Sequence, residues 1–252
     1  MAKIIAVANQ KGGVGKTTTG VNLTAALKTL GKRVLLVDGD PQGNASTGMG
    51  VSKSTRPNTY DMMINGVPAA DCVVQTEYGD VIPASKELAA ASVELIGTEQ
   101  REYVMRTALM SLYGEYDYIF IDCPPSLELL TVNALVAADS VLIPMQCEYY
   151  ALEGIADLVT SIKMCKKRLN KRLEVEGIVL TMYDARANLT SQVAAELRKY
   201  LEGKVYETVV PRSVRLSEAP SHGQPGITYD RFNKGSRAYL ELAREFMEKT
   251  ER

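Results

Sequence analysis

The stretch Asn9-Gln10-Lys11-Gly12-Gly13-Val14-Gly15-Lys16-Thr17-Thr18 constrains this chain more than any other. It follows the apolar run Ile4 to Ala8 and precedes Val21, Leu23, Leu27 and Leu30, so its glycines fall where a buried strand hands over to a helix. Glycines at such a junction let the backbone turn and aim its N–H groups at one point, while the helix start adds partial positive charge. A phosphate chain fits there. Lys16 is placed as a mobile cation for β and γ phosphates, and the Thr17 hydroxyl as a ligand for Mg²⁺. Against the template G-x-x-x-x-G-K-[ST] there is one departure, Gln10 at the first glycine position, and Lys11 follows it directly. A chance glycine-rich turn would need three glycines, the lysine, two threonines and the strand-to-helix setting to coincide.

At 252 residues with 46% hydrophobic content the chain can bury one substantial α/β core, and no break in composition divides it. One domain spanning residues 1–252 is expected. With a net charge of -1, any nucleic-acid surface has to be a local patch rather than a global field. Cys72, Cys123, Cys147 and Cys165 form no C-x-x-C pair, which fits core thiols in a reducing cytoplasm rather than a zinc site or disulfide framework. The apolar run at the N-terminus is too short for a signal peptide, and no stretch reaches the length of a membrane span.

Short aliphatic runs closed by polar residues recur at Val34–Val37, Tyr118–Asp122, Val141–Pro144 and Ile178–Thr181, the pattern of parallel strands buried on both faces. Helical segments lie between them. Leu152, Ile155, Val159, Ile162, Cys165 and Leu169 are spaced to form one apolar stripe. The expected fold is therefore α/β: a doubly wound, mostly parallel sheet flanked by helices, of the P-loop NTPase kind. Its ligands lie at the carboxyl ends of the strands, where the glycine loop, Asp38, Asp40 and Asp122 should meet. Residues 44–115 are less regular, with turn signals at Pro57-Asn58, Asn65-Gly66-Val67-Pro68 and Tyr78-Gly79-Asp80, short helices and a strand near Val81-Ile82.

Asp122, ending a buried strand across from the loop, suits a Walker B role, holding Mg²⁺ directly or through a coordinated water. The pair Asp38 and Asp40 offers carboxylates beside the γ phosphate, one of which could orient water for in-line attack. Asp38 reads equally as a switch-loop or outer Mg²⁺ group and as a structural residue. Cys123 stands where faster ATPases often carry an acid, so slow turnover is expected.

The pattern KGGVGKTT resembles the deviant Walker A motif of the ParA/MinD/nitrogenase-iron-protein superfamily of dimeric ATPases. VDGDPQGNASTG, IDCPPSL, PMQCEYYALEG, TMYDARANL and VVPRSVRLSEAPSHG extend the likeness over nearly the whole chain and resemble the chromosomal ParA proteins of the Soj type. The resemblance implies an ATP- and Mg²⁺-dependent homodimer in which Lys11 reaches the partner's nucleotide. It also implies that Asp40 serves hydrolysis and that Pro211 and Ser213 lie near the adenine, Ser213 standing where relatives usually carry Asn. Arg186 and Arg215 match arginines implicated in non-specific DNA binding. A ParB-type centromere-binding protein is the implied partner, no membrane is, and the implied location is cytoplasmic, on the nucleoid when ATP is bound.

Charge gives independent support, since Arg186 to Arg237 holds nine bases against five acids. Scattered solvated side chains would give the same count. The run Lys163, Lys166, Lys167, Arg168, Lys171, Arg172 reads as a helix C-terminus favoured by its own dipole. Two alternatives remain open from the superfamily. A MinD-like membrane regulator would need a basic amphipathic C-terminus, whereas Glu241 to Arg252 holds four acids and three bases. An iron-protein-like electron-transfer ATPase would need cysteines such as Cys123 and Cys147 bridging two subunits.

Overall fold

The computed structural model describes residues 1–148 and 151–251; Tyr149 and Tyr150 of the PMQCEYYALEG motif, and Arg252, lie outside the described residues. Among the described residues six strands form one sheet: β1 (Lys3–Val7), β2 (Val34–Asp38), β3 (Asp80–Ile82), β4 (Tyr118–Asp122), β5 (Ser140–Gln146) and β6 (Glu174–Thr181). Their order is β3-β2-β4-β1-β5-β6, and every neighbouring pair is parallel. The helices are α1 (Lys16–Thr29), α2 (Asn44–Gly48), α3 (Thr59–Ile64), α4 (Leu88–Glu94), α5 (Val104–Leu109), α6 (Leu129–Ala137) and α7 (Ala151–Arg168). They continue as α8 (Asn188–Tyr200), α9 (Val214–Glu218), α10 (Gly226–Tyr229) and α11 (Lys234–Thr250).

The aliphatic runs become strands because both of their faces are covered. Side chains alternate across a strand, so Ile4 and Ala6 enter the core cluster on one face while Ile5 and Val7 enter the other. The first cluster holds residues of α6, α7 and α8; the second holds α1 and α11. Helix α11 presents Tyr239, Leu242, Ala243 and Phe246 to that second core, with Phe246 edge-on to Tyr118 at 5.3 Å between ring centroids. Its apolar face is thereby used inside the molecule. No helix among the described residues is long and apolar enough to cross a membrane.

The stripe expected on α7 is partly different. Ile155, Ile162 and Cys165 are buried as expected, but Leu158 takes a core position while Leu152 is 37% exposed and Val159 half-buried. Leu169 falls one residue past the helix end. The buried face runs through positions 151, 155, 158, 162 and 165, one residue off the stripe drawn from aliphatic spacing alone. The basic run does fall at the end of α7, with Lys166, Lys167 and Arg168 in its last turn.

Register brings the site together. Val7 and Asp38 both pair with Asp122, so β1, β2 and β4 end level with one another. The chain then leaves β2 through Gly39, whose N–H donates to the Asp122 carbonyl at 2.9 Å. A Cβ at residue 39 would stand 2.8 Å from that carbonyl oxygen, which is why only glycine fits there. In the irregular middle, Asn58 caps α3 by accepting from the Tyr60 N–H at 2.9 Å, and Asp61 completes a capping box.

Candidate nucleotide site

The loop from Asn9 to Gly15 joins β1 to α1 and is held open by its surroundings. Asn9 donates to the Pro144 carbonyl at 2.8 Å and accepts from the Lys11 N–H at 3.0 Å, starting the turn. Gly13 (φ 74°) and Gly15 (φ 89°) take left-handed conformations that an L side chain rarely adopts. A Cβ at Gly12 or Gly13 would meet nothing within 4 Å, so the concave side of the loop is open space. Val14 packs into the protein, and its carbonyl accepts from the Thr181 hydroxyl at 2.7 Å. Gln146 donates to the Gly13 carbonyl at 3.0 Å. Thus the ends of β5 and β6 fix the loop's outer edge, a role for Gln146 and Thr181 that loop spacing did not reveal.

Inside the loop, Lys16 is only 7% exposed and donates to the Lys11 carbonyl at 3.0 Å. Burial pushes its ammonium pKa below the usual lysine range, while the charges of Asp122, Cys123 and Asp40 pull the other way. A cation left with that little solvent is poised for an anionic ligand. Thr17 donates to Asp122 Oδ2 at 2.7 Å. The other oxygen, Asp122 Oδ1, is buried and has no hydrogen-bond partner among the described residues. Burial, then the nearby charge of Asp38, pushes the Asp122 carboxyl well above the usual carboxylate range. An orphaned carboxylate oxygen beside a threonine hydroxyl, both hard oxygen donors, fits Mg²⁺.

Asp38 and Asp40 differ in use. Asp38 is fully buried and accepts from the Ser46 N–H at 2.7 Å, the Ser46 hydroxyl at 2.6 Å and the Asp40 N–H at 3.2 Å. It ties the chain leaving β2 to the start of α2, and burial holds its carboxyl pKa up at about 6 against those hydrogen bonds. These contacts give Asp38 a structural role, and its charge also acts on Asp122. Asp40 accepts from the Gln42 N–H at 2.9 Å and is close enough for its charge to act on Lys16.

A pocket of about 340 Å³ continues from the loop between Gly15, Thr18, Met182, Pro211 and Ser213. Met182 holds φ 49°, a left-handed conformation for a non-glycine residue, where β6 ends against the pocket. Pro211 and Ser213 do line this cavity. The Ser213 hydroxyl, however, donates to Asn233 Oδ1 at 2.7 Å, so its side chain is engaged with the cap of α11.

Lys11 is half-exposed and pairs with Glu148 of the same chain. Arg186 is 91% exposed in the turn after β6 and bonds Asp184 through two nitrogens at 3.0 and 3.1 Å. Arg215, on α9, pairs with Glu218 at 2.9 Å and Asp230 at 3.6 Å. The two arginines do not share one pocket. Cys123 and Cys147 are buried, at 1% and 9% exposure.

A family model described as an AAA domain matches residues 2–175. The chain is 55% identical over 248 residues to the sporulation initiation inhibitor protein Soj of Bacillus subtilis, covering 97% of this chain and 98% of that one. It is 52% identical over 252 residues to the chromosome partitioning protein ParA of Myxococcus xanthus, covering 99% and 89%. Among solved structures, a cobyrinic acid a,c-diamide synthase from Mycobacterium smegmatis with bound ADP and magnesium superposes with a TM-score of 0.86 at 34% identity, covering 100% and 97%. With the loop, the level strand ends and the carboxylates where such a site needs them, this agreement over full length leads to one assignment: the chain belongs to the ParA/Soj family of P-loop ATPases.

Proposed function

We propose that the chain is a Mg²⁺-dependent ATPase switch for DNA segregation, in which ATP joins two copies face to face and the dimer binds DNA without reading its sequence. The observation that carries the nucleotide part is the partnerless, buried Asp122 Oδ1 beside Thr17 and the desolvated Lys16. The loop N–H groups of Gly12, Gly13, Val14 and Gly15, with those of Lys16 to Thr18 at the start of α1, bind the phosphates. Lys16 compensates the β and γ charges, and the base enters the pocket walled by Pro211 and Ser213. Thr17 and Asp122, the latter directly or through water, would hold Mg²⁺, which would draw negative charge off the phosphates.

Asp40 orients a water against the γ phosphorus. As the water oxygen bonds to phosphorus, the bond to the β-bridging oxygen breaks, and ADP and phosphate leave with the water proton released to solvent or to phosphate. Among the described residues no other conventional base stands out, which accords with slow turnover that a ParB-type partner would accelerate. Lys11 serves the partner's nucleotide, so dimer formation exchanges its Glu148 ion pair for the partner's phosphates. Arg186 and Arg215 belong to the DNA surface, and the location follows as cytoplasmic, on the nucleoid while ATP is bound. The test is size-exclusion chromatography with light scattering of the Asp40→Ala protein, with ATP and with ADP, each with and without duplex DNA. A dimer with ATP that carries DNA, and a monomer with ADP, is the expected outcome. A monomer in every condition contradicts the reading.

A further inference from the structure

The turn after β6, the segment Val209–Val214 and the first half of α11 enclose a groove of about 930 Å³ on the far side of the base-pocket wall. Its cations are Arg186, Arg212, Lys234 and Arg237, and its acids are Asp184 and Glu241. These charges are not equivalent. Arg186 and Asp184 cancel one another through their two hydrogen bonds. Arg212, Lys234 and Arg237 are exposed, and among the described residues none of them has a carboxylate within ion-pair distance. Among the described residues, three cations outside any ion pair thus line the groove with one carboxylate outside any ion pair, Glu241, and the charge of Lys234 also reaches Asp184.

Arg215 stands outside this groove and is already engaged by Glu218 and Asp230. So both arginines singled out by resemblance are satisfied by acids of their own chain, while Arg212, Lys234 and Arg237, to which the resemblance gave no role, are in no ion pair among the described residues. Phe232, 67% exposed, sits at the groove with the Arg231 guanidinium 4.6 Å above its ring. An open groove with spaced, unpaired cations and few acids is the electrostatic footprint of a phosphodiester backbone. Pro211, Arg212 and Val214 line this groove and the base pocket alike, which sets a bound duplex one chain thickness from the nucleotide.

We infer that Arg212, Lys234 and Arg237 form the phosphate track of the DNA-binding surface, with Arg186 at its rim. The inference rests on the DNA-binding reading above and names residues for it. Contacts are to phosphates, so affinity is indifferent to sequence and falls steeply with salt. Arg186 joins only by giving up Asp184, an exchange that charged phosphates can drive.

The test is the double variant Lys234→Glu/Arg237→Glu. Neither residue lines the base pocket, both are exposed, and acids in the first turn of a helix are favourable, so folding and ATP binding are expected to persist. Binding of a random-sequence duplex with ATP is titrated across a salt series, beside binding of a fluorescent ATP analogue. Lys163→Glu/Lys167→Glu on α7 changes net charge equally and serves as the control. The expected result is a loss of roughly tenfold or more in DNA affinity and a salt slope shallower by about two, with ATP affinity and the control unchanged. Wild-type affinity and slope in the groove variant would overturn the track while leaving DNA binding intact, as would an equal loss in the control. Failure of the wild-type protein itself to bind the duplex with ATP would instead sink the DNA-binding reading, and the track with it.

Discussion

The nucleotide end of the molecule and the basic groove lie back to back across the segment Pro211–Val214, yet they are built by opposite means. At the nucleotide end the polar groups are buried or partly buried and held to protein partners: Lys16 to a carbonyl, Thr17 to Asp122, Asp38 to Ser46, Thr181 to Val14. One oxygen, Asp122 Oδ1, is left without a partner among the described residues. At the groove the charges are solvated, and among the described residues Arg212, Lys234 and Arg237 are in no ion pair. Buried polar groups are expensive when unsatisfied, so substitution there should be severe and nearly independent of salt. Solvated charges interact weakly one by one, so substitution at the groove should be mild, additive and salt-dependent.

Substitutions can sharpen or break that contrast. The largest effect is expected from Asp40→Ala, which should cut ATP turnover by ~100-fold or more while leaving ATP bound, checked by phosphate release beside equilibrium dialysis. Lys16→Ala should weaken ATP binding by roughly 10- to 100-fold, read by calorimetry, since a charge-assisted contact in a desolvated site is lost. Retention of full affinity by Lys16→Ala would erase the distinction between the two regions. Arg215→Glu should dimerise with ATP yet bind duplex DNA several-fold more weakly at moderate salt, read by a mobility shift, because it sets a third acid beside Glu218 and Asp230.

Asp38 supplies a pH test of the buried region. Its folded pKa of about 6 lies above the ordinary value of 3.8, so between those pH values the folded state binds more protons than the unfolded one. Its contribution therefore falls as pH rises through that window and levels off above it, by about 3 kcal/mol in total at most. Asp38→Asn should flatten that part of the stability-against-pH curve, measured by denaturant melts of the nucleotide-free protein. An unchanged slope would mean the carboxyl is not held neutral. The smallest effect is expected from Glu148→Gln. It removes an exposed partner of Lys11 and should tighten ATP-dependent dimerisation by a few fold at most, seen by sedimentation.

How much could be read in the residues alone follows the same division. The strands, their parallel order of burial and the meeting of the loop with Asp38, Asp40 and Asp122 were legible because hydrophobic periodicity and glycine placement are local signals of a buried arrangement. The loop anchors Gln146 and Thr181 were not, because each acts from a strand more than a hundred residues distant and carries no special residue type. The stripe on α7 was drawn through Leu152 and Leu169 because aliphatic identity says nothing of which face a neighbouring helix covers; Leu158 won the core position. Charge counting located the basic region but could not tell paired cations from unpaired ones, a property set by Asp184, Glu218 and Asp230. Nor could it foresee that Ser213 is turned to Asn233.

The central claim is that the nucleotide bridges two copies of this chain through Lys11. The most direct measurement is the solution mass, with ATP, of Asp40→Ala against Asp40→Ala/Lys11→Ala, both confirmed to bind ATP. A dimer for the first and a monomer for the second is the expected result. A dimer of equal stability for both would contradict it.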